Sequence, residues 1–154
     1  MVGANVHIRS ARPEDADHLT EIAHAAKRHW GYPEEFISLW RTDLTMTHDF
    51  IASHPVYCAV IGSHITGFYA LSRDGSTFEL EHMWVHPDDM GTGVGARLFE
   101  HAVSIARSLG GSILQIASDP NAEGFYRRMG AHRVGDIPST PADRKLALLV
   151  MDLQ

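Results

Sequence analysis

Three groups of residues in this sequence could carry chemistry. The first is Gly91-Thr92-Gly93-Val94-Gly95-Ala96. Without Cβ atoms a glycine backbone can come close to an anion, and where such a run opens a helix its unpaired N–H groups point at that anion along the helix dipole. A phosphate or diphosphate fits that description. The same glycines would also serve a plain tight turn. The string further satisfies the dinucleotide pattern G-x-G-x-x-A, with Asp119 able to pose as its acidic ribose contact. That pattern, however, needs a strand leading almost at once into a helix, and here five residues separate Val85 from Gly91.

The second group is Glu79 and Glu81, which a period of two places on one face of a strand. The third runs from Asn121 to Gly130. Asn121 suits a helix cap, Phe125 and Met129 share a helical face, Gly130 stops the helix, and Tyr126 stands beside Phe125 with a hydroxyl available for chemistry. Packing alone accounts for most of that pattern.

These residues need elements to hold them. Val6 and Ile8 alternate with polar residues as a first strand, and Pro13-Glu14-Asp15 opens a helix that runs to about Trp30. Glu34 to Asp43 predicts a second short helix, and His48 to Ser53 a further turn. Pro55–Ile61, His64–Arg73 and Thr77–Val85 read as three strands of an antiparallel meander, joined through Gly62-Ser63 and Asp74-Gly75. From Val94 the apolar residues Leu98, Phe99, Ala102, Ile105, Ala106 and Leu109 keep a 3.6 period until Gly110-Gly111, which predicts a long amphipathic helix. A strand at Ser112–Ala117, a short helix at Ala122–Met129 and strands at Ala131–Gly135 and Lys145–Leu153 complete the plan. It is an α/β fold with a strand–helix–strand crossover at its centre.

The chain has 154 residues, 44% of them hydrophobic and 21% charged, which predicts one domain over residues 1–154 with a real core. No internal repeat and no linker divides it. A net charge of −6 removes any overall positive field for nucleic acid or anionic lipid, so neither is expected as a partner. No apolar run approaches the roughly 20 residues of a membrane helix, and Met1 to Ser10 has no secretory pattern, so the cytoplasm is the expected location. Cys58 is the single cysteine, set among apolar strand residues and expected to be a buried thiol. Eleven histidines show no ligand spacing, and no metal is expected.

Taken together, the strand ending Glu81-His82-Met83-Trp84-Val85, the glycine-rich helix start and Asn121…Phe125-Tyr126…Gly130 resemble the GNAT family of acetyl-coenzyme A-dependent N-acetyltransferases. The resemblance covers the whole chain in order, with its signature block at about Leu80–Ala131. It implies a mixed, mostly antiparallel sheet of six or seven strands flanked by helices and splayed at a cofactor cleft, between the strands ending near Val85 and Ala117. It implies acetyl-CoA as cofactor, with Met83 and Val85 beside the pantetheine arm, Met90 and the amides of Gly91, Thr92, Gly93, Val94, Gly95 and Ala96 around the diphosphate, Asn121 in contact with the cofactor, and Tyr126 near its sulfur. The family usually has Arg or Gln where this chain has Met90; Arg97, Arg127 and Arg128 are candidates for compensating charge or are ordinary solvated helix residues.

Transfer to an amine sets further demands. An alkyl amine is about 99.9% protonated at pH 7, so a base or water chain must recover roughly three orders of magnitude in nucleophile. Glu81 is the favoured base, with His82 and His86 as auxiliaries, and Tyr126 the acid that protonates the departing thiolate. Trp30 and Tyr32, with Trp40 nearby, stand where the family's N-terminal helices wall the acceptor pocket, an arrangement suited to a small or aromatic amine, although packing between helices would need the same residues. The loop Pro138–Arg144 is the other segment expected to select the acceptor. The expected activity is direct acetyl transfer to a primary amine of a small molecule or peptide, with a non-catalytic acyl-CoA sensor or interaction module on the same fold as the alternative. The apolar final strand is compatible with a homodimer.

Overall fold

A computed structural model of the chain describes residues 5–139, 141 and 144–154. It contains one seven-stranded sheet in the order β1-β2-β3-β4-β5-β7-β6, the strands being β1 (Val6–Ser10), β2 (Val56–Ile61), β3 (His64–Asp74), β4 (Thr77–Val85), β5 (Ile113–Ser118), β6 (His132–Ser139) and β7 (Arg144–Asp152). The helices are α1 (Ala16–His29), α2 (Glu34–Leu39), α3 (His48–Ser53), α4 (Val94–Ser108) and α5 (Glu123–Arg128). The chain divides into two compact units, Met1–Ala70 with His82–His101, and Leu71–Glu81 with Ala102–Gln154. No helix among the described residues is long and apolar enough to cross a membrane.

In the first unit, Pro13–Asp15 forms a 3-10 turn ahead of α1. Asp15 ties it down by accepting from the Arg12 N–H at 2.8 Å and from Arg9 Nη1 at 2.9 Å. The helical spacing of Leu19, Ile22 and Ala23 turns one stripe of α1 inward against Ile37, Trp40 and the sheet residues Cys58 and Phe68. Full burial of each large apolar side chain is worth about 1.5–3 kcal/mol, which makes this cluster a principal support of the unit. β1 pairs antiparallel with β2 from Val6↔Ile61 to Ser10↔Tyr57, and β2 with β3 across a bulge at Ala59/Val60. Helix α2 stops at Leu39, short of the expected Asp43, because the chain leaves helical geometry at Trp40, whose side chain is buried. The turn expected at His48–Ser53 is a helix, capped by Thr47 Oγ1 accepting from the Phe50 N–H at 3.1 Å.

In the second unit the core is built on Leu71, Phe78, Ala106, Leu114 and Leu149, all fully buried. Gly110 takes φ +89° and the Gly111 N–H returns to the Ala106 carbonyl at 2.8 Å, so α4 ends where its sequence pattern does. β4 and β5 pair in parallel through Thr77↔Ile113, Phe78↔Leu114 and Glu79↔Gln115, the expected crossover. Within this unit the ladder stops there, while β5 continues against β7 to Ser118↔Ala147. The strand expected at Ala131–Gly135 reaches Ser139 and includes Pro138. It lies at the sheet's edge, where proline is tolerated because alternate N–H groups face away from the ladder.

Candidate active site

In the first unit, β4 leads through the 3-10 turn Pro87–Asp89 and the extended Met90 to the turn at Gly91–Gly93 and the start of α4. The His86 side chain caps the 3-10 turn, accepting from the Asp88 N–H at 3.1 Å, and the His86 N–H donates to the Thr66 carbonyl at 2.8 Å. Gly91 and Gly93 adopt φ of +77° and +93°, conformations that strain any L side chain. A Cβ at either would meet nothing within 4 Å, so the space beside this backbone is open. The first intrahelical return is the Arg97 N–H to the Gly93 carbonyl at 3.2 Å, as expected where the earlier amides lie before the helical ladder. Val94 is fully buried and fixes the turn to the core. Thr92 Oγ1 closes the turn by donating to the Asp89 carbonyl. Backbone glycines with open space, at the start of a fifteen-residue helix, fit a diphosphate.

Gly67 makes a contribution that the sequence pattern does not disclose. A Cβ there would lie 2.7 Å from the Trp84 carbonyl oxygen and 3.1 Å from Leu98 Cδ1. Only glycine lets β3 approach the end of β4 and α4 so closely. Met83 and Val85, the residues expected beside a pantetheine arm, are half-buried in that stretch of β4. The expected compensating cation Arg97 turns instead to the Val6 carbonyl, at 3.3 Å.

Trp30 and Tyr32 are half-buried in the same unit, and their neighbour is a cation. Lys27 Nζ lies 4.9 Å from the Tyr32 ring centroid, 4.4 Å from Trp40, and 5.7 Å from both Trp30 and Trp84. The Lys27 residue is only 7% exposed, so its charge sits among ring faces rather than in water. The Trp30 and Trp84 rings are 5.8 Å apart, and the Trp84 indole N–H donates to His82 Nδ1 at 3.2 Å. That bond makes Nδ1 the acceptor, so His82 when neutral carries its proton on Nε2. Cys58 is fully buried, and burial pushes its thiol up to about 12, which removes it as a nucleophile at neutral pH.

In the second unit, Glu79 and Glu81 share a face as expected. Glu81 Oε2 accepts from Ser72 Oγ at 2.6 Å. The Glu79 carboxyl is raised above its ordinary value, chiefly by burial and then by the charge of Glu81 and a hydrogen bond with it. The sequence reading of Asn121 as the cap of α5 is corrected: the cap position is Ala122, with no side-chain cap bond. The anionic Asp119, two residues earlier, is the better acceptor, and Asp119 Oδ1 takes both the Asn121 N–H at 2.9 Å and Asn121 Nδ2 at 2.8 Å. Asp119 also receives Arg144 Nη2 at 2.9 Å and is 8% exposed, which is not the setting of an exposed ribose ligand. Tyr126 is 6% exposed and packs edge-on against Phe125. Burial first, and the Asp119 charge second, push its phenol above the ordinary tyrosine value, so it keeps its proton. Arg127 is engaged with Glu123 at 3.5 Å. Of the expected acceptor loop, Thr140, Ala142 and Asp143 lie outside the described residues.

Residues 23–139 match the family model for the acetyltransferase (GNAT) domain. The chain belongs to the GNAT acetyltransferases. Among curated proteins this acetyltransferase is similar to the peptidyl-lysine N-acetyltransferase YjaB of Salmonella typhimurium, 27% identical over 114 residues, 63% of this chain and 74% of that protein. Among solved structures it resembles the PaiA N-acetyltransferase of Thermoplasma acidophilum in complex with coenzyme A, with a TM-score of 0.79 at 20% identity, covering 96% of this chain and 98% of that one. It also resembles YncA of Salmonella typhimurium with its cofactor acetyl-CoA, with a TM-score of 0.71 at 20% identity, covering 97% and 95%. At these identities the structural likeness speaks for the GNAT fold, a mixed seven-stranded sheet with flanking helices.

Proposed function

We propose that this acetyltransferase acts as a single domain, in the cytoplasm, to move an acetyl group from acetyl-CoA to the primary amine of a peptide lysine or a small molecule, by direct attack. The observation that carries the reading is the Gly91–Gly93 turn, left-handed at both glycines and open beside its backbone at the head of α4. Solved relatives of this fold hold coenzyme A or acetyl-CoA, and the YjaB proteins act on peptidyl-lysine, which supports both halves of the reaction.

In this reading the amides of Gly91, Thr92, Gly93, Val94, Gly95 and Ala96 hold the diphosphate, each dipolar contact being worth about 0.3–1 kcal/mol, so several must act together in a protein of net charge −6. Met90 contributes no charge, and the backbone amides do the main work of holding the anion. Met83 and Val85 offer backbone groups to the pantetheine amides, and Asn121 adds a side-chain contact. Acetyl-CoA supplies the activated thioester carbonyl. Glu81 draws the proton from the acceptor ammonium through water, so that the neutral amine attacks. Tyr126, held in its protonated form by burial, donates to the departing sulfur. Trp30 and Tyr32 bound the acceptor side.

A melting experiment tests the reading. Acetyl-CoA at 100 times its Kd stabilises the folded chain by about 2.7 kcal/mol and raises the midpoint by several degrees. NAD in its place gives no such shift. No shift at millimolar acetyl-CoA, or protection by NAD instead, contradicts it.

A further inference from the structure

We infer that Asp119 is a positioning residue for coenzyme A, acting through Asn121 and clamped by Arg144. The inference rests on the reading of Asn121 as a cofactor contact and deepens it. Three hydrogen bonds converge on this one carboxylate, which is itself 8% exposed: the Asn121 N–H and Asn121 Nδ2, both on Oδ1 at 2.9 and 2.8 Å, and Arg144 Nη2 on Oδ2 at 2.9 Å.

The geometry decides which way the Asn121 amide faces. A primary amide presents a donor on one side and an acceptor on the other, and in an unrestrained asparagine the two exchange by rotation about the terminal torsion. With Nδ2 turned onto Asp119, the carbonyl oxygen points away from the carboxylate. The side chain is thereby set to accept, which is the polarity a pantetheine arm with amide N–H groups requires. The backbone bond from the Asn121 N–H to the same oxygen fixes the residue at its root as well, so both ends are referred to one atom.

Arg144 supplies the other restraint. It comes from the first residue of β7, 25 positions along the chain, and its guanidinium also reaches Ser139 Oγ at 3.4 Å. Its charge offsets the cost of burying the Asp119 carboxylate. The Arg144 and Asp119 side chains are 14% and 8% exposed, so this pair is screened far less than a surface bridge. Asp119 thus connects the end of β5, the entry to α5 and the start of β7. Preorganisation of that kind lowers the ordering cost of binding.

The test is titration calorimetry with coenzyme A on the full chain, using wild type, Asp119→Asn, Asn121→Ala and the double variant, with melting temperatures measured alongside. Asp119→Asn keeps the shape but loses the charge and the fixed polarity of the acceptor. It should weaken coenzyme A about tenfold, the scale of one oriented hydrogen bond to a charged or preorganised group. In the Asn121→Ala background the same change should cost little further, because the route through Asn121 is already gone. A fall in melting temperature with Kd unchanged, or equal losses of affinity in the presence and absence of Asn121, overturns the inference and leaves the cofactor reading standing. Wild type that does not bind coenzyme A at all overturns both. Should Asp119→Asn fail to fold, Arg144→Met asks the same question with the carboxylate in place. Kd should rise about threefold, with Arg144→Lys close to wild type, as expected for loss and retention of the clamping charge; an unchanged Kd in Arg144→Met counts against the inference.

Discussion

Ser72 Oγ donates to Glu81 Oε2 at 2.6 Å, while Glu79, two residues back on the same face, has its carboxyl raised by burial and by the charge of Glu81. The two glutamates are therefore not equivalent, although period-two spacing alone makes them so. Glu81 is the member held by a side-chain hydrogen bond, and Glu79 the member whose carboxyl is raised. Glu81→Gln should lower kcat for acetyl transfer by about a hundredfold or more, the usual contribution of a positioned base, with Kd for acetyl-CoA within twofold of wild type. Glu79→Gln should have a much smaller effect. Steady-state kinetics of both variants check this, and equal kcat values for wild type and Glu81→Gln would remove the role.

The raised Glu79 value also has a sign in stability. A carboxyl whose folded-state pKa lies above its unfolded value binds more protons in the folded state, so its stabilising contribution is present below the ordinary carboxylate range and is lost as pH rises through the folded value. Glu79→Gln removes that loss. The melting temperature of the variant relative to wild type should therefore climb as pH rises from the ordinary Glu range, about 4, through the raised folded value. A difference that stays flat across the range contradicts burial and the Glu81 charge as the origin of the shift.

Tyr126 is buried, and its phenol is held above the ordinary tyrosine value. Tyr126→Phe deletes one hydroxyl and leaves the ring that packs against Phe125. Its kcat should drop by about two orders of magnitude or more, with coenzyme A affinity close to wild type. In the wild type, kcat should show no alkaline fall at the ordinary tyrosine value near 10, because the acid keeps its proton beyond it. A Tyr126→Phe enzyme with normal kcat contradicts the assignment.

The parts of this molecule governed by local periodicity were legible in its sequence. Leu98, Phe99, Ala102 and Ala106 define α4 and are buried as their spacing requires, and Gly110 ends the helix in the left-handed conformation that its type predicts. The glycines of the Gly91–Gly93 turn belong to the same class, since a positive φ is a local property. What eluded the sequence depends on residues distant along the chain. Nothing near Gly67 indicates that the Trp84 carbonyl will lie where its Cβ would be. Asn121 resembles a cap until the stronger acceptor Asp119, held by Arg144 from β7, is placed beside it. Lys27 reads as one more polar position on a helix until four aromatic rings enclose its ammonium, and those rings come from α1's end, the following loop, α2's end and β4.

Gly67 and Gly93 should fail in different ways. Alanine at Gly67 places a methyl 2.7 Å from a backbone oxygen, an overpacking that costs about 1–3 kcal/mol and lowers the melting temperature by several degrees. At Gly93 the space is open and only the +93° backbone objects, at a cost of about 1–2 kcal/mol. The second variant should in addition bind coenzyme A several-fold more weakly, because the turn that presents the amides is the part disturbed. Melting curves with and without coenzyme A separate the two; a Gly93→Ala protein with undiminished affinity argues against the turn as the diphosphate site.

The most direct measurement is acetyl transfer itself. Purified protein is incubated with acetyl-CoA and a panel of lysine peptides, polyamines and small amines, with thiol release followed continuously and the acceptors weighed by mass spectrometry. The account predicts thiol release that depends on the acceptor, matched one for one by acetylation of a primary amine and abolished by Glu81→Gln with Tyr126→Phe. Tight binding of acetyl-CoA with no acetylated product from any member of the panel would contradict it and leave a sensor of acyl-CoA in its place.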